Sequence, residues 1–177
     1  MDFFNKSEQS ILLNAENIIV GFSGGVDSTL VLAATNQFLE AHNKKNCLTA
    51  LHVNHQTQSD SSSWQIHCEK FCKEHNINFS CKSVEIKESG QGYEAAARSA
   101  RLDIFNTFDE ATVIILGHHL DDQVETVFFR VLRGTGLKGL TGMQRHLKIK
   151  DKDFIRPLLH LTKEEIFKQA TEYKLSF

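Results

Sequence analysis

Two short stretches of this chain combine residues that can bind phosphate, hold a metal ion or move protons. The first is Ser23-Gly24-Gly25-Val26-Asp27-Ser28, and the second is Gly117–Thr126, which carries two adjacent histidines, two adjacent aspartates and a glutamate. Hydroxyls and backbone N–H groups bind anions, whereas carboxylates and imidazoles bind metal ions and transfer protons. Together the two stretches indicate chemistry on a phosphorylated substrate.

The first stretch lies between an apolar run, Ile18–Phe22, and a helix-like segment, Thr29–Ala34. This order predicts a buried strand, a glycine-rich turn and the start of a helix. Such a turn leaves backbone N–H groups without intrachain partners at the positive end of the helix dipole, and its glycines let an anion approach. A plain tight turn with Asp27 or Ser28 as the helix N-cap is the alternative. We predict that six residues bind phosphate: Ser23, Gly24, Gly25, Val26, Asp27 and Ser28.

Asp27 is an unusual residue for an anion site, because its carboxylate repels phosphate. A helix dipole contributes only about 0.3–1 kcal/mol, which is too little to offset that repulsion at close range. A Mg²⁺ ion between Asp27 and the phosphates would remove the conflict. We therefore predict Mg²⁺ as a cofactor and Asp27 as its first ligand.

The second stretch follows another apolar run, Thr112–Leu116, where a strand is predicted to give way to a helix. His118, Asp122 and Glu125 are spaced i, i+4 and i+7, so they would share one helical face. Aspartates in a first helical turn are also ordinary dipole-stabilising residues. Capping accounts for one or two acids but not for the histidines and the glutamate as well, so we predict a reaction site at this strand end.

Strand-like and helix-like segments alternate along the chain, which predicts an α/β fold. We expect a doubly wound, Rossmann-like parallel sheet of about five strands, with helices on both faces and the site outside the carboxyl ends of the strands. The remaining strand signals are Cys47–Val53 and Phe79–Ile86, and a capping box at Thr162–Glu165 begins the last helix. Loops are predicted at 56–63, 87–92 and 134–139.

The composition fits one domain without a membrane segment. The chain has 177 residues, 41% of them hydrophobic, and no apolar run reaches the roughly 20 residues that span a bilayer. The first residues do not resemble a signal peptide, so we expect a cytoplasmic protein with reduced thiols. Cys68 and Cys72 are predicted to be buried small hydrophobes rather than a metal or redox site, and the His52-x-x-His55 pair to pack at a sheet end rather than to bind metal. The net charge of −2 gives no sign of RNA binding.

The Ser-Gly-Gly-x-Asp-Ser pattern of the first stretch resembles the phosphate loop of the PP-loop ATP pyrophosphatases. From about Ile18 onwards, the order of six motifs is similar to that of the tRNA(Ile)-lysidine synthetase family within that superfamily. The motifs are Ser23–Ser28, His52–His55, Glu94–Arg98, Gly117–Thr126, Arg133–Leu140 and Ile155–Leu158.

The resemblance implies a two-step reaction with ATP as co-substrate. The wobble cytidine of tRNA(Ile) with a CAU anticodon attacks the α-phosphate of ATP, and free L-lysine then displaces AMP to form lysidine. For this chemistry Asp122 joins Asp27 as a metal ligand and Arg98 contacts a phosphate, while His118 or Glu125 accepts the proton of the lysine amine. Backbone groups of 51–54 are expected to meet the adenine.

The chain also departs from the family pattern. Gln56-Thr57-Gln58 stands where many members have Gly-Leu-Arg. Members of the family continue into C-terminal tRNA-binding domains, so we expect residues 1–177 to be the PP-loop ATP-binding catalytic domain alone. The alternatives are a PP-loop tRNA thiolase, an amidotransferase-type synthetase and a nucleotide-binding module without catalysis. The oligomeric state is left open, with a homodimer as one option.

Overall fold

The computed structural model describes residues 3–54, 61–84, 93–109, 111–134 and 141–177. Strands and helices alternate through most of these ranges. The described helices are α1 (Lys6–Asn14), α2 (Val26–Ala41), α3 (Ser61–Glu74), α4 (Tyr93–Asn106), α5 (Leu120–Leu132) and α6 (Lys163–Glu172). The described strands are β1 (Asn17–Gly21), β2 (Leu48–Asn54), β3 (Asn78–Ser83), β4 (Thr112–Ile115), β5 (His146–Ile149) and β6 (Lys152–Ile155).

The strands form one sheet in the order β3-β2-β1-β4-β6-β5. Every neighbouring pair is parallel except β5 and β6, which form an antiparallel edge. The central strand β1 pairs on both sides, with Ile19 opposite Thr49 of β2 and Ile114 of β4. The predicted doubly wound α/β fold is confirmed, with one more strand than the five expected. The added strand is β5, whose largely exposed residues give no apolar signal.

Side chains of β1 alternate between two hydrophobic layers, as a buried parallel strand requires. Ile18 and Val20 pack with residues of α1, α2, α3 and α6 on one face. Ile19 packs on the other face against Phe105 of α4 and Phe154 of β6. The helices therefore cover both faces of the sheet, and the loops that follow β1 and β4 meet at one edge.

The predicted loop at 87–92 lies outside the described residues, as do residues 135–139 of the loop predicted at 134–139 and most of the loop predicted at 56–63. The third strand ends at Ser83 within the described range, short of the predicted Ile86. Across the described parts of the chain, none of the helices has both the length and the apolar character needed to cross a bilayer.

Candidate active site

The turn between β1 and α2 is held open by hydrogen bonds within the loop. The Ser28 hydroxyl donates to the Gly25 carbonyl (2.9 Å) and accepts the Ser23 backbone N–H (3.2 Å), while the Thr29 hydroxyl donates to the same carbonyl (3.0 Å). Gly25 is the N-cap of α2 and provides no side-chain cap. Within the described residues Gly25 makes no side-chain cap, so the first N–H groups of α2 are suited to binding an anion.

Helix α3 packs against this turn at Gly24. Gly24 has a positive φ of 87°, which glycine adopts without strain. A Cβ added there would lie 3.0 Å from Cys68 Sγ and 3.3 Å from Cε3 of Trp64, the only tryptophan in the chain. The loop thus needs glycine at this position both for its backbone conformation and for its contact with α3.

The second predicted stretch reaches the turn through Gly117. A Cβ on Gly117 would lie 3.2 Å from three backbone atoms of α2: the carbonyl carbon and oxygen of Asp27 and the nitrogen of Ser28. Glycine at this position therefore allows the segment before α5 to lie directly against the first turn of α2. The backbone N–H of Leu120 also donates to the Leu161 carbonyl (2.9 Å), which joins this segment to the residues before α6.

His119 lies between the two aspartates predicted as metal ligands. Its Nε2 atom is 3.7 Å from Asp27 Oδ1 and 3.6 Å from Asp122 Oδ2, and the residue is buried. Its Nδ1 accepts the Asp121 backbone N–H (3.3 Å), which leaves Nε2 as the ring nitrogen that faces both carboxylates. The Asp122 carboxylate also accepts the His119 backbone N–H (2.8 Å), so Asp122 caps α5 as well as lining the site.

A lysine completes this cluster from a third element. Lys163 is the first residue of α6, and its Nζ donates to both carboxylate oxygens of Asp27, at 2.7 and 2.6 Å. The start of α6 is fixed by a capping box, in which the Thr162 backbone N–H and hydroxyl hold the pKa of Glu165 below its usual range. The site is therefore built from the N-terminal ends of α2, α5 and α6.

The residues present fit a magnesium ion shared with a phosphorylated ligand. Asp27 and Asp122 provide carboxylate oxygens that face the same histidine nitrogen. No group of three histidine, cysteine or acidic side chains comes together as a complete metal site within the described ranges. Mg²⁺ is commonly held by one or two carboxylates together with substrate phosphates, and this donor set matches that arrangement.

The other predicted site residues are placed less closely together. His118 is half-buried and precedes the first residue of α5 by two positions, so the helical spacing that predicted a face shared with Asp122 and Glu125 does not apply to it. Glu125 is exposed on α5. Arg98 lies on α4, and its side chain is outside the described part of the structure. The roles of these three residues stay predictions.

Sequence reasoning missed His119 and Lys163 as members of this cluster. His119 stands next to the favoured His118, and only the start of α5 decides which imidazole faces the aspartates. Lys163 carried a readable signal, because a cation at the first position of a helix is disfavoured by the dipole and implies an external anionic partner.

The cysteines lie apart from this cluster of charged residues. Cys68 and Cys72 are buried on α3, and burial raises the pKa of each thiol to about 12. All four cysteines are free. The prediction that Cys68 and Cys72 are buried is confirmed, and His52 is likewise buried, with Nδ1 3.0 Å from the Phe22 carbonyl oxygen, whereas His55 lies outside the described residues.

Comparisons with known proteins find relatives of this chain. A family model described as the PP-loop domain matches residues 2–177. The tRNA(Ile)-lysidine synthase of Francisella philomiragia is 36% identical over 163 residues, and that of Legionella pneumophila strain Paris is 39% identical over 166. These matches cover 90% and 92% of this chain but 39% and 37% of the relatives. The chain therefore spans about two fifths of the length of the curated relatives it matches.

A solved structure extends the comparison of the fold. The U34-tRNA thiolase NcsA from Methanococcus maripaludis, determined with its 4Fe-4S cluster, is similar with a TM-score of 0.69. The match covers 97% of this chain and 64% of the thiolase at 20% sequence identity. At that identity the likeness concerns the fold alone.

Proposed function

Since the chain belongs to the PP-loop domain family, we propose that residues 1–177 are the ATP-binding catalytic domain of a tRNA(Ile)-lysidine synthetase. In the proposed first step, O2 of the wobble cytidine attacks the α-phosphorus of ATP, and pyrophosphate leaves with the electrons of the broken P–O bond. In the second step, the ε-amine of lysine attacks C2 of the adenylated cytidine and AMP leaves. The amine loses a proton, and the product is lysidine.

The observation that best supports the proposal is the placement of Asp27 and Asp122 beside the N-terminus of α2, which has no side-chain cap. Free N–H groups and the helix dipole favour the negative charge that develops on departing pyrophosphate. Neutralising charge on the phosphates is the chemistry that a bound Mg²⁺ would supply, with Asp27 and Asp122 as its protein ligands. His119 Nε2 lies near both carboxylates, 3.7 Å from Asp27 Oδ1 and 3.6 Å from Asp122 Oδ2.

The second step requires an acceptor for the lysine proton. Glu125 and His118 are the proposed acceptors, because a carboxylate or a neutral imidazole can take a proton near neutral pH. Arg98 is proposed to bind a phosphate, since guanidinium binds phosphate through paired N–H groups.

The thiolase alternative has less support. The two relatives that are 36% and 39% identical carry the synthase name. The thiols of Cys68 and Cys72 are buried and neutral, and no three metal-binding side chains converge in the part of the chain that the structure describes. A module that only binds nucleotide has no evident use for the Asp27 and Asp122 pair.

Free cysteines are consistent with the proposed cytoplasmic location.

Two measurements on the same samples test the proposal. Pyrophosphate release and incorporation of radiolabelled lysine are followed with ATP, Mg²⁺ and unmodified tRNA(Ile) bearing a CAU anticodon. The samples are this chain and a chimera in which it replaces the matching part of the Francisella enzyme. The Asp122→Asn variant removes a proposed ligand yet keeps a side-chain oxygen that can accept the His119 backbone N–H. Asp151→Asn is the matched control. Asp151 is exposed and precedes β6, so it lies at the amino end of that strand, whereas the site lies at the carboxyl ends of the parallel strands.

We expect tRNA-dependent pyrophosphate release by the chain or the chimera, and lysine labelling at least by the chimera. Asp122→Asn should lower both rates by at least about 100-fold, as loss of a group that stabilises transition-state charge does, while Asp151→Asn leaves them unchanged. A folded chimera that binds ATP but labels no tRNA(Ile), or full activity of Asp122→Asn, would contradict the proposal.

A further inference from the structure

The contact between Lys163 and Asp27 carries an inference about the order of ligand binding. Resting on the function proposed above, we propose that Lys163 is an internal counter-cation for Asp27. In this proposal Lys163 keeps divalent metal off the free site and moves to the nucleotide phosphates when nucleotide and metal enter together.

The ion pair is poorly explained by stability alone. The Lys163 side chain is 48% exposed, and ion pairs that are open to water contribute little to folding. The first position of a helix is also an unfavourable place for a cation, and the next residues of α6, Glu164 and Glu165, have the sign that the dipole favours. A lysine that is disfavoured on its own helix and aimed at a predicted metal ligand suggests a role in the site.

Lys163 and a divalent metal compete for the same carboxylate. The ammonium is within hydrogen-bond distance of both oxygens of Asp27, at 2.7 and 2.6 Å. A metal ion on either oxygen would place two cations within a few ångströms, where repulsion is strong in a partly shielded site. His119 Nε2 also lies 3.7 Å from Asp27 Oδ1.

A polyphosphate removes that competition by giving Lys163 another anion. The N–H groups at the start of α2, where phosphate is predicted to bind, belong to the same helical turn as Asp27. The flexible stem of a lysine can redirect its ammonium by a few ångströms without moving α6. Asp27 is then released to bind the metal ion, and the bound phosphates provide further ligands for the same ion.

The first experiment measures metal alone. Binding of Mn²⁺ to the nucleotide-free chain is followed by the electron paramagnetic resonance signal of free Mn²⁺. The wild type, Lys163→Met and Lys168→Met are compared, and Lys168 is an exposed lysine on the same helix. We expect Lys163→Met to bind Mn²⁺ about tenfold more tightly than the wild type, because a competing charge has been removed, and Lys168→Met to match the wild type. A purely structural role for Lys163 would not increase metal affinity.

The second experiment measures nucleotide with metal. Binding of α,β-methylene ATP with Mg²⁺ is followed by the fluorescence of Trp64, whose ring lies against the phosphate loop at Gly24. Lys163→Met should bind about tenfold more weakly, as expected for a lost hydrogen bond between charged groups, and Lys163→Arg should recover most of the affinity.

The outcomes separate this inference from the proposed function. If the wild type binds the nucleotide with Mg²⁺ but Lys163→Met leaves either the Mn²⁺ affinity or the nucleotide affinity unchanged, the inference is overturned and the function stands. If the wild type fails to bind nucleotide with or without metal, the proposed function fails and the inference falls with it.

Discussion

Gly117 provides a quantitative test of how the two halves of the site are held together. Replacing it with alanine would place a Cβ 3.2 Å from three backbone atoms of α2, where ordinary contacts between such atoms lie at about 3.5–4.0 Å. Backbone cannot rotate away as a flexible side chain does, so α2 and the segment before α5 must separate by a few tenths of an ångström. Overpacking of this kind costs about 1–3 kcal/mol. For a domain of this size, 2 kcal/mol corresponds to a fall in Tm of about 4–8 °C.

Gly25→Ala is the matched variant, because its added Cβ meets only Ser23 Oγ at an ordinary 3.7 Å. We expect it to lower the free energy of unfolding by less than about 1 kcal/mol, the scale of an N-cap change, and still to weaken nucleotide binding by crowding the phosphates. Urea unfolding and nucleotide titration, both followed by Trp64 fluorescence, measure the two effects. If Gly117→Ala unfolds within about 0.5 kcal/mol of the wild type, our interpretation of the close approach is wrong.

Three further predictions concern two buried cysteines and a buried ion pair. Because burial raises the pKa of Cys68 and Cys72 to about 12, native chain at pH 8 should protect both thiols from iodoacetamide, and urea should expose them. A folded-state pKa above the ordinary 9.0 stabilises the fold below pH 9, and this contribution is lost as pH rises towards about 12, which urea unfolding at pH 8 and pH 10.5 would detect. Glu8→Ala should lower the free energy of unfolding by about 3 kcal/mol, measured in urea, because the buried Glu8 carboxylate binds the Arg145 guanidinium at 2.7 and 3.0 Å. A loss below about 1 kcal/mol would contradict the penalty expected for breaking a buried ion pair.

Elements with a local signal could be predicted from the sequence. The apolar run Ile18–Phe22 followed by glycines predicts β1, the turn and the start of α2, and the structure places β1 at Asn17–Gly21. The spacing of Thr162 and Glu165 predicts the start of α6, and both side chains form the expected capping box. Such signals depend on neighbours only a few residues apart.

Elements α1, β5 and β6 were not located from the sequence, and α1 and β5 differ in how predictable they were. Helix α1 begins with a capping box between Asn5 and Glu8, so its Asn-x-x-Glu spacing was a usable signal. Strand β5 has no comparable pattern, because its mostly exposed residues are held in place by pairing with β6. Its existence depends on the sheet as a whole.

The charged cluster of the site could be predicted only in part. Asp27 and Asp122 stand out by residue type, whereas the contact between Lys163 and Asp27 joins positions 136 residues apart. Local patterns do not encode which loop ends meet across a sheet edge. The choice of His119 over His118 depends likewise on a helix boundary of one or two residues, the least predictable feature of a sequence.

The unequal support of the two sides of the site should be visible in amide hydrogen exchange. The phosphate loop continues from β1, which is hydrogen-bonded to a strand on each side, and the amides of that strand should exchange only on global unfolding. Asp122 lies on helix α5, which has no buried residue within its described length, Leu120–Leu132. The amides of α5 should therefore exchange through smaller local openings. We therefore expect local opening of α5 to admit a bulky substrate. The turn at Ser23–Ser28, where phosphate is proposed to bind, should stay fixed.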